Sequence, residues 1–106
     1  MTFATFLKKH GITPATYLRL ARQRAHATTK YDPALLHFAK DAKHKLEYDG
    51  VKFGASGYKD FILYKLLDGA AVAAAKRDAY RARAGQVMRA TRSATSAASL
   101  AFNILW

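Results

Sequence analysis

One glycine-rich stretch, YDGVKFGASGYKDF at residues 48–61, holds the densest set of residues that could do chemistry. A nucleotide-hydrolase phosphate loop needs a lysine and a hydroxyl directly after its last glycine, but Gly57 is followed by Tyr58 and Lys59. The glycine spacing also differs from that of the dinucleotide-binding fingerprint. The segment GASG does fit the Gly-x-x-Gly clamp of KH-type RNA-binding modules. That clamp joins two helices, whereas this stretch follows a predicted strand, so a structural corner is the favoured interpretation.

The corner interpretation assigns a turn to each of three glycines, Gly50, Gly54 and Gly57. Glycine adopts the positive φ angles of sharp turns without a steric penalty, and a β-branched residue does not. Replacing Gly57 with valine is therefore expected to disrupt folding. The neighbouring rings are expected to pack together at the corner: Phe53, Tyr58 and Phe61.

Other catalytic or metal-binding patterns are missing from the sequence. The four histidines are never three or four residues apart, so no two of them form a helical metal pair: His10, His26, His37 and His44. There is no cysteine, which removes thiol catalysis and cysteine-ligated zinc. The seven acids mostly occupy turns or caps, and Asp32, Asp49 and Asp68 each precede a proline or a glycine. The sequence therefore predicts a non-enzymatic protein with no cofactor, no metal and no small-molecule substrate.

Positive charge is the strongest compositional feature of the chain. Eighteen lysines and arginines oppose seven acids, which gives a formal net charge of +11. Such an excess favours an acidic partner, whether nucleic acid, an anionic membrane face or an acidic protein lattice. No acid follows Asp78, so the C-terminal third has the most one-sided charge. The candidate residues for contact with an anion or a partner are Arg19, Arg22, Arg24, Lys76, Arg77, Arg81, Arg83, Arg89 and Arg92.

Most of these candidates lie on an alanine-rich helix predicted over about residues 70–89. Helical spacing places Lys76, Tyr80 and Arg83 along one side, with Arg77 and Arg81 beside them. A second face is small enough to approach another helix closely: Val72, Ala75, Ala79 and Ala82. The basic strip is either a solvated helix exterior or a surface that grips phosphates or acidic side chains through bidentate arginine contacts.

The elements that position these residues fit one domain over residues 1–106, mainly α with a small β-hairpin at about 44–54, an α+β fold. Thr13 before Pro14 predicts a helix over about 14–28, whose apolar face leaves its arginines for solvent or a ligand. Residues 34–46 fit a helix or a strand, and the helix is preferred.

Local signals are clearer in the second half of the chain. Asp49-Gly50 separates two short alternating segments, which is typical of a two-residue hairpin turn. Asp60 is placed to cap a buried helix, and Asp68-Gly69 ends it. No apolar stretch approaches the roughly 20 residues of a membrane span.

The C-terminal segment LAFNILW is apolar on nearly every side of a helix, so it must be buried. It either completes the core or fills a groove on a neighbour. We expect it to dock onto the protein's own helices, with Trp106 partly shared with a partner. The candidate interface anchors are Leu100, Phe102, Leu105 and Trp106.

Three segments, HKLEYDGVKFGASGYKDFILY, KRDAYRARAGQVM and SLAFNILW, resemble a family of small basic proteins encoded by giant and algal nucleocytoplasmic large DNA viruses. The resemblance rests on a Y-x-G-x-x-FG-x-x-GY-x-DF core and an ILW end, and residues 66–75 depart from it by being alanine-rich. It implies a virion location, with host cytoplasm or nucleus during assembly. The implied function is a minor capsid or cement protein that contacts other capsid proteins. The alternative is a sequence-nonspecific nucleic-acid-binding protein on the viral DNA.

Overall fold

The computed structural model describes residues 2–90 and 95–106, with side chains for all of these except 86–90. Within these residues the structure has five α-helices and a three-stranded antiparallel sheet, which confirms the predicted α+β class. The elements are α1 (Phe3–Lys9), α2 (Pro14–Ala27), a 3-10 turn (Pro33–Leu35), β1 (Leu36–Phe38), β2 (His44–Tyr48), β3 (Val51–Ala55), α3 (Phe61–Leu67), α4 (Ala70–Ala90), α5 (Ala97–Leu100) and a π-helical turn (Ala101–Leu105).

Threonine caps begin the first two helices. The Thr13 hydroxyl accepts a hydrogen bond from the Thr16 amide at 3.3 Å, and Pro14 occupies the first turn, where its missing amide proton costs nothing. Gly11, with a φ of +77°, ends the α1 segment and turns the chain toward this cap. The predicted start of α2 is confirmed.

The preferred helix over residues 34–46 is wrong. Leu36, His37 and Phe38 form the edge strand β1, which pairs antiparallel with β2 in the register Leu36 to Tyr48. Leu36 is buried and His37 is exposed, so the period-two pattern prevails. Pairing with β2 provides the hydrogen bonds that the backbone N–H and C=O groups of residues 36–38 would otherwise make within a helix. The hairpin thereby becomes a three-stranded sheet.

The hairpin lies where the sequence predicts it. Asp49 and Gly50 have φ angles of +47° and +86°, the two positive angles of a type I′ turn, whose twist matches that of the flanking strands. The turn sets Tyr48 opposite Val51 and Leu46 opposite Phe53. Leu46 and Phe53 therefore project together into the core.

The glycine corner is built differently from the prediction. Gly54 has a φ of +78°, and a Cβ atom there would lie 2.8 Å from Cδ1 of Leu105. Gly57 lies in a turn, but its φ is not positive and a Cβ there would meet nothing within 4 Å. Tyr58 is 74% exposed, so it does not pack with buried Phe53. The structure therefore contradicts the reason for expecting Gly57→Val to disrupt folding. The position at this corner that requires glycine is Gly54.

The C-terminal segment is part of the protein's own core. Leu100, Ile104 and Leu105 are buried among residues of α1, α2, α3 and the sheet. Leu100 and Leu105 are consequently core residues and not interface anchors. Phe102 and Trp106 are only partly buried, so of the four candidate anchors these two retain exposed surface.

The helix α4 packs through a different face from the predicted one. Ala73 is its one fully buried side chain among those described, while Val72 is 41% exposed and Ala75, Ala79 and Ala82 face solvent. The small-residue face is therefore exposed and is not buried against another helix. None of the helices in residues 2–90 and 95–106 combines the length and apolar character needed to cross a bilayer.

Candidate functional site

Aromatic rings from α3, α4 and the C-terminus meet at one place on the surface. The Tyr80 ring stacks on Trp106 with centroids 4.5 Å apart and planes 10° from parallel, and Tyr64 lies 6.2 Å from Trp106. Such offset ring contacts add to the stabilisation that burial provides. They fix α4 against the chain end and leave one edge of the group open to solvent.

These rings line a concave site of about 450 Å³, which we call the aromatic cleft. This volume lies within the range of sites that hold small ligands. Its aromatic residues are Tyr58, Tyr64, Tyr80 and Trp106, and its basic residues are Lys45, Lys59, Lys76 and Arg83. The predicted alignment of Lys76, Tyr80 and Arg83 along one side of α4 is therefore confirmed.

Two of the four cleft cations are already neutralised. Lys45 lies 2.9 Å from Asp60, and Lys59 lies 2.8 Å from Asp68. Among the described residues, Lys76 and Arg83 have no carboxylate partner. The Lys76 ammonium lies 5.7 Å from the Tyr64 ring centroid, within the range of a cation–π contact. Lys76 and Arg83 thus give the cleft its uncompensated charge.

The Tyr80 hydroxyl stays neutral near pH 7. Burial raises the pKa of Tyr80 above its usual value, and the charges of Arg83 and Arg81 oppose that rise. The neutral phenol presents a ring face and a hydroxyl, and it adds no negative charge to the cleft.

A second basic group, which we call the arginine cluster, consists of Arg24, Arg77 and Arg81. Arg24 and Arg77 each place their guanidinium over the Phe61 ring, at 4.8 Å and 4.9 Å from its centroid. Arg81 lies over Phe102 at 4.6 Å, and its Nε donates to the main-chain oxygen of Trp106 at 3.3 Å. Trp106 thereby joins the arginine cluster to the aromatic cleft.

The cluster holds positive charges that disfavour one another. Burial lowers the pKa of Arg24, and the charges of Arg81 and Arg77 lower it further. Asp60 acts in the opposite direction, but its carboxylate is already paired with Lys45. Among the described side chains, the carboxylate paired with Arg77 is that of Asp78, at 4.0 Å, and Asp78 is largely exposed. An anion seated here would relieve the repulsion.

Two of the three arginines of α2 donate hydrogen bonds to backbone carbonyl groups, and the third is exposed. Arg22 donates through Nε and Nη2 to the Leu36 carbonyl at 3.1 Å and 2.9 Å, which ties α2 to β1. Arg24 donates to the Ile104 carbonyl at 2.6 Å, which ties α2 to the C-terminal turn. The expectation that both are left for solvent or a ligand is wrong for Arg22 and incomplete for Arg24. Arg19 is exposed in a separate groove beside Pro33.

Two predicted contact residues cannot be placed. The Arg89 side chain and the whole of Arg92 lie outside the described residues. Among described residues, no group of three histidine, cysteine or acidic side chains could hold a metal ion.

A buried polar network joins α2, β2 and α3. Asp60 caps α3 through the Leu63 amide at 2.9 Å, as predicted, and it also accepts hydrogen bonds from Lys45 and from the Tyr17 hydroxyl. Burial, followed by the charge of Asp60, raises the pKa of Tyr17 well above its usual value, so the phenol keeps its proton. Tyr17 and Asp60 are completely buried, so the network supports the fold and only Lys45 borders the cleft.

Comparison with known protein families, curated proteins and solved structures finds no match to this chain. Functional inference therefore depends on the two surface groups. Among the residues of these two groups, the sequence analysis did not identify Tyr58, Lys59 and Tyr64 as candidate contact residues. Their alternation in GYKDFILY was the available signal, because aromatic and basic residues close in sequence are typical of surfaces that bind nucleic acids.

Proposed function

We propose that this protein is a non-enzymatic nucleic-acid-binding protein that binds the phosphate backbone without sequence preference. The observation that carries the proposal is the arginine cluster, whose three guanidinium groups lie over the Phe61 and Phe102 rings. Among the described residues, its one side-chain ion pair is the long contact of Arg77 with exposed Asp78 at 4.0 Å. Lys76 and Arg83 extend the positive surface into the neighbouring cleft.

The geometry of the cluster suits phosphate. A guanidinium that lies on an aromatic ring has lost much of its rotational freedom, so less entropy is lost when it binds. Its N–H groups remain in one plane, which matches two oxygens of a phosphate. The rings of Phe61 and Phe102 support the three groups in this way.

The overall charge supports the same function. A net charge of +11 on 106 residues raises the local concentration of a polyanion and speeds association. Backbone contacts of this kind carry no sequence information, so the expected binding depends on salt and not on base sequence.

The test is charge reversal at the two arginines of the cluster that lie on α4, half-buried Arg77 and exposed Arg81. The double variant Arg77→Glu/Arg81→Glu should bind duplex DNA at least about ten-fold more weakly at low salt, since each phosphate contact adds about 0.9 to the logarithmic salt slope. Losing two contacts should lower that slope by about 2. Fluorescence anisotropy over a series of salt concentrations measures both quantities.

Two controls accompany this variant. Arg77→Lys/Arg81→Lys keeps the charge but loses the planar fork, so an intermediate affinity is expected. Arg19→Glu changes the net charge at a separate groove and should have a smaller effect. If wild-type protein shows no binding at low salt, or a binding constant independent of salt, nucleic-acid binding is rejected.

A structural role in a viral particle is the second proposal. The resemblance to viral proteins implies it, and the exposed small-residue face of α4, beginning at Val72, supports a protein contact. Capsid proteins would then be the partners and the virion the location. Fractionation of disrupted particles distinguishes the roles: retention in emptied shells supports a capsid contact, and release with nuclease supports the nucleic-acid role.

A further inference from the structure

The aromatic cleft has an exposed ring that the fold does not use. Tyr58 is 74% exposed at its rim, and it makes no ring contact with Tyr64, Tyr80 or Trp106. The wall of the cleft is the stack of Tyr80 on Trp106, which is fixed by α4. An exposed ring facing solvent beside a rigid aromatic wall is a platform for a flat ligand.

The charges of the cleft select the chemistry of that ligand. Lys76 and Arg83 are uncompensated, whereas Lys45 and Lys59 are paired with Asp60 and Asp68. A ligand with both a flat ring and a negative group would use both features at once. A nucleotide has this combination, because every base presents a π face and every backbone unit carries a phosphate.

An acidic peptide fits the cleft less well. Its carboxylates could reach Lys76 and Arg83, but an acidic side chain leaves the Tyr58 ring without a stacking partner. A duplex also fits poorly, since its bases are stacked on one another and present only their edges. The ligand that uses the rings is therefore an unpaired base.

We infer that the aromatic cleft holds an unpaired nucleotide, with its base against the Tyr58 ring and its phosphate near Lys76 and Arg83, so that the protein prefers single-stranded nucleic acid. This inference rests on the proposed function and specifies the ligand of that surface. Stacking on one aromatic side chain typically changes affinity by about five-fold to a hundred-fold.

Electrostatics and stacking predict opposite preferences. A protein that binds nucleic acid only through charge has a lower affinity for a single strand than for a duplex. The reason is that the salt slope per contact is about 0.7 for single strands and about 0.9 for B-DNA. A higher affinity for oligothymidylate than for a duplex of equal length therefore requires contacts to the bases. Anisotropy measured with both probes at the same salt concentration decides this point.

The matched variants are Tyr58→Ala, Tyr58→Phe and Leu66→Ala. Tyr58→Ala should lower the affinity for oligothymidylate about ten-fold and leave duplex affinity within about two-fold. Tyr58→Phe retains the ring and should bind like wild type. Leu66 is an exposed apolar residue outside the cleft, so Leu66→Ala should change neither affinity. None of these side chains is buried, so all three proteins are expected to fold.

Trp106 provides an independent readout, because it is the single tryptophan of the chain and it lines the cleft. Titration with oligothymidylate should quench its fluorescence, and an abasic oligonucleotide of equal length or polyglutamate should quench it less. Equal quenching by polyglutamate would mean an acidic-peptide cleft and would overturn the inference. Equal affinity for single and double strands, with no effect of Tyr58→Ala, would also overturn it while leaving nucleic-acid binding intact. Failure to bind either nucleic acid rejects the proposed function itself.

Discussion

Replacing Gly54 with alanine is expected to lower the free energy of unfolding by about 2–4 kcal/mol. Two separate terms contribute. The φ angle of +78° is unfavourable for any residue with a Cβ, which costs about 1–2 kcal/mol. The new Cβ would also lie 2.8 Å from Cδ1 of Leu105, which is only 1% exposed and has little room to retreat. Urea unfolding followed by tryptophan fluorescence measures the change.

Two other glycines provide matched controls for this prediction. Gly50 has a φ of +86° with nothing near its missing Cβ, so Gly50→Ala should show the backbone term alone. Gly57 has neither a positive φ nor a close neighbour, so Gly57→Ala should leave the stability within about 0.5 kcal/mol of wild type.

The steric term can be isolated by a double-mutant cycle. Leu105→Ala removes the atom that a Cβ at Gly54 would strike, at the cost of a core cavity. The combined variant should therefore be more stable than the sum of the two single changes predicts. The prediction is contradicted if the changes in the free energy of unfolding are additive and if Gly54→Ala and Gly50→Ala lower it equally. The Leu105 side chain would then not limit the space at Gly54.

The features that could be predicted from the sequence depend on neighbours within a few residues. Thr13 and Asp60 are caps whose oxygen meets an amide three residues away, and Asp49-Gly50 is a turn by itself. In each case the residue type and the backbone geometry belong to the same short segment, so the sequence contains both.

The features that could not be predicted depend on distant partners. β1 has only three residues and exists because β2 pairs with it. The contact of Arg24 with Ile104 spans 80 residues, and no local pattern marks Arg24 as different from Arg22 or Arg19. The cleft likewise combines Tyr58, Tyr80 and Trp106, which are far apart in the chain.

The prediction of which face of α4 is buried was wrong for another reason. An alanine-rich helix has little contrast between its faces, so the sequence does not determine which one is buried. Ala73 lies in the core and Ala75 lies in solvent, although both are alanine. The partly buried neighbours on the packed side include Arg77 and Tyr80, whose long side chains cover apolar surface while their polar ends reach water.

The buried network centred on Asp60 leads to the second large expected effect. Asp60→Leu should lower the free energy of unfolding by about 3–5 kcal/mol, because it leaves Lys45 charged and unpaired in a site where it is only 2% exposed. The Tyr17 hydroxyl and the Leu63 amide lose their acceptor in the same change. This is a large share of the stability of a small domain, so Asp60→Asn, which keeps the shape and one acceptor oxygen, is the milder companion variant.

A comparison with Asp68 separates burial from charge. Asp68 pairs with Lys59 at a similar distance of 2.8 Å, but both side chains are about one-third exposed, so Asp68→Ala should cost about 0–1 kcal/mol. Adding Lys45→Met to Asp60→Asn removes the unpaired charge, and the double variant should recover a substantial part of the loss in urea unfolding. If Asp60→Asn is as stable as Asp68→Ala, or if Lys45→Met deepens the loss, Asp60 does not stabilise the fold by neutralising Lys45. Recovery would instead mean that the lysine at the edge of the cleft is held by Asp60 and is not free to bind phosphate, which leaves Lys76 and Arg83 as the cleft residues to which the proposal assigns that role.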